Sequence, residues 1–259
     1  MSAQTTASVA GSSYDYEPTL ECRDVSVYYG GIKAVDGITL GLRPGEVSGI
    51  LGPNGSGKST LLGAVTRMVK LTRGQVLFQG KNYSSVGPGK VIGLGISRTF
   101  QTVRLLPDRS VYDNIILSTD VVCRGERDQV EDFVRSAIAR TGLEGYEGLR
   151  PSELSYGVQR RVEIARAIAA QPKLLLLDEP TAGMNKNERA EIGALLRSLQ
   201  AEGLTQLLVE HDVAMMVDTC DYLYAMNFGS LIAEGAPEDV VREPAVQEAY
   251  LGKHGRHHA

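Results

Sequence analysis

Cysteine is scarce in this sequence. Cys22, Cys123 and Cys220 are odd in number, far apart and form no CxxC pair. That spacing excludes a disulfide framework and a thiolate zinc site, and it fits buried thiols in a reducing cytosol. No apolar run approaches the ~20 residues a membrane-spanning helix requires. Lys and Arg number 27 against 31 Asp and Glu, a formal net charge of −4. This balance gives a nucleic-acid partner no electrostatic support. Internal repeats and sustained heptads are absent too, which leaves no basis for a solenoid or a coiled coil. Residues 1–19 have neither a basic start nor an apolar middle, so they do not form a secretory signal. Their Ser, Thr, Ala and Gly content predicts a loose tail. The 259 residues, 42% hydrophobic, form an ordinary globular composition. Such a chain can bury a sizeable core, as one large domain or as a core with a lobe.

The most informative stretch is Gly52-Pro53-Asn54-Gly55-Ser56-Gly57-Lys58-Ser59, followed by Thr60. It matches the pattern of G, four residues, then G-K-S, and its flanks supply the context the pattern needs. Glu46 to Leu51 reads as a short buried strand, and Thr60 to Val65 as the start of a helix. Three glycines let the backbone turn with φ > 0 and bring its N–H groups close to a polyanion. The helix N-terminus adds roughly 0.3–1 kcal/mol. Lys58 is the larger contribution: a unit charge ~3 Å from a phosphate, at an effective dielectric of ~20, is worth about 5 kcal/mol before desolvation. Ser59 offers a hydroxyl to a magnesium ion bridging the outer phosphates. The loop therefore predicts binding of a nucleoside triphosphate, without saying for what purpose.

Around the loop, the patterning alternates between strands and helices. Leu20 to Tyr29 and Ile32 to Leu42 read as strands joined by a Gly30-Gly31 turn, a small antiparallel sheet. The Tyr29 ring sits where it could stack on a base, in preference to its neighbour Tyr28, although either also suits a strand edge. Gln75 to Gln79 and Ile96 to Phe100 read as further strands, the second running into Gln101. From Val111 to Gly142 the period becomes helical, which predicts an inserted all-helical lobe over 86–155. The remainder, 20–85 and 156–251, forms the α/β core with its antiparallel subdomain, and 252–259 forms a second tail. His254, His257 and His258 fall in that tail and read as polar residues rather than a metal site.

Two further constellations carry chemistry. Leu154-Ser155-Tyr156-Gly157-Val158-Gln159 opens a helix with Ser155 as its N-cap, a second possible anion site but weak evidence by itself. Lys173-Leu174-Leu175-Leu176-Leu177 is an apolar run that stops at Asp178-Glu179. Such a run predicts a parallel strand buried on both faces, and α/β sheets bind ligands at that end of their strands. Asp178 suits a magnesium shell, and Glu179 suits orienting or deprotonating a water for attack on a phosphate. The strand Leu204 to Val209 ends at Glu210-His211-Asp212, so His211 falls on the same sheet edge. A lone His is commonly structural; this position favours a γ-phosphate contact.

In this order, the loop, Gln101, Leu154 to Gln159, Asp178-Glu179 and His211 resemble the nucleotide-binding subunit of ABC transporters, from about Leu20 to Leu251. The resemblance implies a P-loop ATPase core with a mixed sheet, an N-terminal antiparallel β subdomain and an inserted helical lobe. It implies two such domains facing head to tail with ATP and Mg2+ between them. Residues 52–60 of one would face Ser155, Gly157 and Gln159 of the other. Gln101 would touch the metal and report to the lobe, which receives a permease subunit. Glu179 would position water and His211 the γ-phosphate. Arg98-Thr99-Phe100-Gln101, Tyr156 to Arg166, Val209-Glu210-His211-Asp212 and Ala249-Tyr250-Leu251-Gly252 are similar to the larger ATPase of branched-chain amino-acid importers, a branch that includes importers of urea and short amides. That branch implies a second, different ATPase as dimer partner, with a homodimer as the alternative. It also implies an external solute-binding protein and a peripheral place on the cytoplasmic face of the membrane. Tyr156 in place of the usual glycine, and Asn185 where aspartate is commoner, depart from the wider family. A soluble ABC ATPase of DNA repair or translation would carry coiled coils or two motif sets, and a kinase or GTPase has no use for Ser155-Tyr156-Gly157.

Overall fold

The computed structural model describes residues 14–121 and 127–251. Cys123, the first part of the N-terminal tail and the tail bearing His254, His257 and His258 lie outside the described residues.

Two sheets organise the chain. Strands β1 (Leu20–Tyr29) and β2 (Ile32–Leu42) form the expected hairpin, with Tyr29 opposite Ile32 and Leu20 opposite Leu42. Strands β4 (Arg73–Phe78) and β5 (Lys81–Asn82) join the other edge, giving the antiparallel order β2-β1-β4-β5. The second sheet contains β3 (Val47–Leu51), β6 (Ile96–Arg98), β7 (Leu174–Asp178), β8 (Thr205–Glu210), β9 (Tyr222–Asn227) and β10 (Ser230–Gly235). Its order is β10-β9-β3-β8-β7-β6, parallel throughout except for the β9–β10 hairpin at one edge. The mixed sheet that the resemblance implies is therefore present.

Burial on both faces accounts for the apolar runs. Leu174 and Leu176 of β7 face a core shared with the antiparallel sheet and helix α1 (Lys58–Val65), whereas Leu175 and Leu177 face the helical side. Period-two side chains of one strand thus feed two cores, which is why β7 reads as a continuous apolar run.

The helical side contains α2 (Val111–Ile116), α3 (Arg127–Arg140) and α4 (Tyr156–Ala169), then α5 (Lys186–Ala201) and α6 (Val213–Thr219). Ser110 caps α2 through a capping box with Asp113, and Asn185 caps α5 through one with Glu188. Asn185 thereby does the capping work of the commoner aspartate, its amide oxygen accepting from the N–H groups of Asn187 and Glu188. Val111 and Ile115 of α2 and Val134, Ala137 and Ile138 of α3 share one core with Val158, Val162 and Ala165 of α4. The sequence boundary between lobe and core falls before α4, yet α4 is the helix on which the lobe packs.

Other differences have local causes. The strand at Ile96 stops at Arg98, because the Phe100 N–H turns to Glu163 instead of the sheet. After β10 the chain forms two helices rather than one, α7 (Pro237–Val240) and α8 (Pro244–Leu251). Pro244 disfavours helical backbone at the residue before it. The end of the expected N-terminal tail packs against the sheets: the Tyr16 hydroxyl donates to the Gly41 carbonyl at 2.8 Å, and the Arg43 guanidinium lies over the Tyr16 ring. Cys22 and Cys220 are buried free thiols, and burial pushes Cys22 up to about 12. No described helix is long and apolar enough to cross a membrane.

The buried Tyr224 hydroxyl, on β9, also donates to the Gly41 carbonyl of β2, at 2.7 Å, and so ties the two sheets together. Tyr224→Phe should lower stability by about 0.5–1.5 kcal/mol. Urea unfolding would register this as a lower midpoint at unchanged slope; an unaltered midpoint would show that the seam does not depend on this bond.

Candidate functional site

The loop after β3 departs from the sequence reading in one respect. Gly55 and Gly57 have φ of 82° and 105°, but Gly52 has no positive φ. Gly52 is required for another reason: a Cβ there would lie 2.4 Å from the Met226 carbonyl oxygen and 2.6 Å from Ser56 Oγ. At Gly57 both constraints apply, since a Cβ would meet the Ala34 carbonyl oxygen at 2.3 Å. Gly57 is also the left-handed N-cap of α1 and supplies no side-chain cap. The buried Lys58 ammonium curls back over the loop, donating to the carbonyls of Gly52 at 2.6 Å and Pro53 at 3.0 Å. The tip of the β9–β10 hairpin clamps the loop from the side: the Gly229 N–H donates to the Ser56 carbonyl, and the Gly229 carbonyl accepts from Asp36 N–H.

The loop borders a cavity of about 450 Å³ that is lined by Asn54, Gly55, Gly57, Lys58, Ser59, Thr60, Gln101 and Glu179, among others. Glu179 occupies a left-handed backbone conformation, φ 45°, with its N–H donating to the Val209 carbonyl at 2.8 Å. A non-glycine residue in this region carries of order 1–3 kcal/mol of strain and points to a functional constraint. The Gln101 amide donates to Glu179 Oε2 at 2.9 Å, and His211 Nδ1 lies 3.7 Å from the same oxygen. His211 is half exposed and equally distant from Glu210 Oε2. Glu210 itself is buried and accepts from both the N–H and the hydroxyl of Thr181, which fixes the turn after β7.

Asp178, at the end of β7, accepts from Arg98 at 2.8 Å through Oδ2. Its buried Oδ1 has no hydrogen-bond partner. A carboxylate oxygen held this way fits the requirement of a hard cation or its bound water. The described residues contain no cluster of three or more His, Cys, Asp or Glu able to hold a metal. Magnesium here would take Ser59 Oγ, the Gln101 side chain and water on Asp178, with phosphate oxygens completing its shell.

Other expected site residues lie outside this cavity. Ser155 caps α4 by accepting from Val158 N–H, and it is exposed. Neither Ser155, Gly157 nor Gln159 lines the loop cavity. Gln159 is turned inward, its amide donating to the carbonyls of Pro151 and Leu154, so it braces the preceding turn and does not extend the exposed edge. Tyr29 is exposed at the tip of β1 and borders a neighbouring hollow with Met68 and Lys70. The Tyr28 hydroxyl is engaged by Asp36. Sequence reading missed Ile32, Lys33, Ala34, Phe228 and Gly229, which complete the cavity wall. Their contribution depends on β2 of the antiparallel sheet and the β9–β10 turn meeting beside the loop, a contact between distant segments. The same holds for the Arg98 partner of Asp178, because β6 and β7 are distant in sequence.

Comparison with known proteins agrees with this geometry. The family model for the ABC transporter matches residues 35–182, and one for the branched-chain amino acid ATP-binding cassette transporter matches residues 230–256. The chain is 34% identical over 252 residues to the high-affinity branched-chain amino acid transport ATP-binding protein LivG of Escherichia coli (strain K12), covering 92% of this chain and 99% of that protein. It superposes on the ADP conformation of MJ1267, an ATP-binding cassette of an ABC transporter, with a TM-score of 0.83 at 32% identity, covering 91% of this chain and 99% of that one. It also superposes on the dimeric post-hydrolysis state of the cassette MJ0796 bound to ADP and Pi, with a TM-score of 0.75 at 26% identity, covering 84% and 98%. A cleft lined by the Lys58 loop, a carboxylate on strained backbone beside it and a separate exposed Ser-capped helix start are thus set in a frame shared along nearly the whole chain, which belongs to the ABC transporter family as an ATP-hydrolysing, ATP-binding subunit of the branched-chain amino acid type.

Proposed function

We propose that this ATPase powers uptake of branched-chain amino acids. It would act from the cytoplasmic face of the membrane, through permease subunits docked on the helical lobe and in series with an external solute-binding protein. The solute reading rests on the family branch, because solute choice lies in the partner proteins. The mechanism rests on one observation: Gln101, Glu179 and His211 converge beside the Lys58 loop, with Glu179 Oε2 2.9 Å from the Gln101 amide and 3.7 Å from His211.

Lys58 and N–H groups of the loop and of the start of α1 grip the triphosphate, the Ser56 N–H excepted because it donates to the Pro53 carbonyl. Magnesium bound at Ser59, Gln101 and Asp178 supplies charge neutralisation of the outer phosphates. Glu179 orients a water and accepts its proton, and its strained backbone keeps the carboxylate at the mouth of the cavity. His211 donates toward the γ-phosphate. Ser155 is exposed, Gly157 is half-buried and neither lines its own chain's cavity, which supports their facing the triphosphate held by a second ATPase subunit, with a heterodimer the arrangement implied by the branch.

Two substitutions test these roles. Lys58→Ala should abolish MgATP binding in calorimetry, with an unchanged far-ultraviolet spectrum to show that the fold survives. Glu179→Gln should bind MgATP within about threefold of the parent chain and lose at least ~100-fold in turnover, the scale of a removed general base. Normal hydrolysis by Glu179→Gln would assign the water to another residue.

A further inference from the structure

The loop that carries Gln101 is held by charged side chains of α4 at several points, two of them fully buried. Arg160 is fully buried on α4. Its guanidinium donates to the Phe100 carbonyl at 2.6 Å and to the Gln101 carbonyl at 2.7 Å. It also pairs with Glu163 at 2.5 Å and donates to the Tyr156 hydroxyl at 3.2 Å. Glu163 completes the grip by accepting from Phe100 N–H at 3.4 Å, and Arg166 donates to the Arg104 carbonyl at 2.7 Å. Burial pushes the Glu163 carboxyl above its usual range, and Arg160 pulls it back.

A buried ion pair adds little net stability over apolar side chains of the same volume. Its value here is geometric. A planar guanidinium with five fixed donors can hold two successive carbonyls, a carboxylate and a phenol at once. The result is a continuous path of hydrogen bonds and chain from Glu179 through Gln101 and Arg160 to Tyr156, the first residue of α4. Tyr156 is exposed beside Ser155. A glycine at position 156 would have no hydroxyl to offer Arg160.

We propose that Arg160 is a positioning residue that links the Gln101 loop to the exposed Ser155–Tyr156 edge, so that occupancy of the ATP site sets the geometry of the surface offered to a partner ATPase. This deepens the reading above and rests on Gln101 responding to bound MgATP. Arg160 and Glu163 do not line the ATP cavity. Their removal should separate binding from communication.

The test is hydrogen exchange on the full chain, with and without magnesium and a non-hydrolysable ATP analogue, at a concentration where sedimentation shows a monomer. In the parent chain, the analogue should slow exchange both at residues 100–104 and at 156–159, by about fivefold, the lower range of allosteric coupling. Arg160→Lys keeps the charge against Glu163 but cannot span all four partners. It should bind the analogue within about twofold, retain the change at 100–104 and lose the change at 156–159. Tyr156→Phe removes a single hydroxyl from an exposed ring, so folding is not at issue, and should lose at least half of the distal effect. Full retention of the distal effect in either variant overturns the proposal, as does its absence in the parent chain. Loss of analogue binding in Arg160→Lys would also overturn it, by making Arg160 part of the binding site. Failure of the parent chain to bind would instead overturn the ATP-site reading.

Discussion

Burial of β7 on both faces is the constraint from which the site follows. Four leucines are taken into two cores, so the strand has no freedom of register, and its polar end at Asp178 and Glu179 is delivered to one sheet edge. The parallel pairing with β8 brings His211 to the same edge, and β3, next along the sheet, brings the Lys58 loop. Asp178 and Glu179 could not be moved along the sheet without slipping a strand whose every side chain is buried.

Charge then divides the work. Asp178 is neutralised through one oxygen by Arg98, leaving the other for a hard ligand. Glu179 is held by Gln101 and is strained in its backbone. Two adjacent carboxylates thereby acquire different surroundings, which is the condition for different roles at one site. Lys58 is held over its loop by two backbone carbonyls. Such preorganisation lowers the reorganisation that binding requires.

Much of this was legible in the sequence, because the loop, the apolar strand with its two acids and the Ser155 cap are each contiguous and each carry their own physical signature. Contacts between distant segments were not legible. Gly52 was read as a flexible turn residue, whereas it is a close-approach position against Met226 and Ser56. The resemblance groups Gln159 with Ser155, but one helical step past the buried Val158 its side chain turns toward Pro151 and Leu154. Arg160 reads as one cation on a polar face; only the approach of the Phe100–Gln101 loop makes it a buried hub. The assignment of α4 to lobe or core is not legible from period alone, since α4 packs on both the lobe helices and the sheet.

The most direct test of the account is a crystal structure of the chain with magnesium and a non-hydrolysable ATP analogue. The account predicts the metal at ~2.1 Å from Ser59 Oγ and from the Gln101 side chain, within one water of Asp178 Oδ1, with Lys58 on the outer phosphates. Phosphates seated away from Lys58, or a metal held without Ser59 and Asp178, would contradict it.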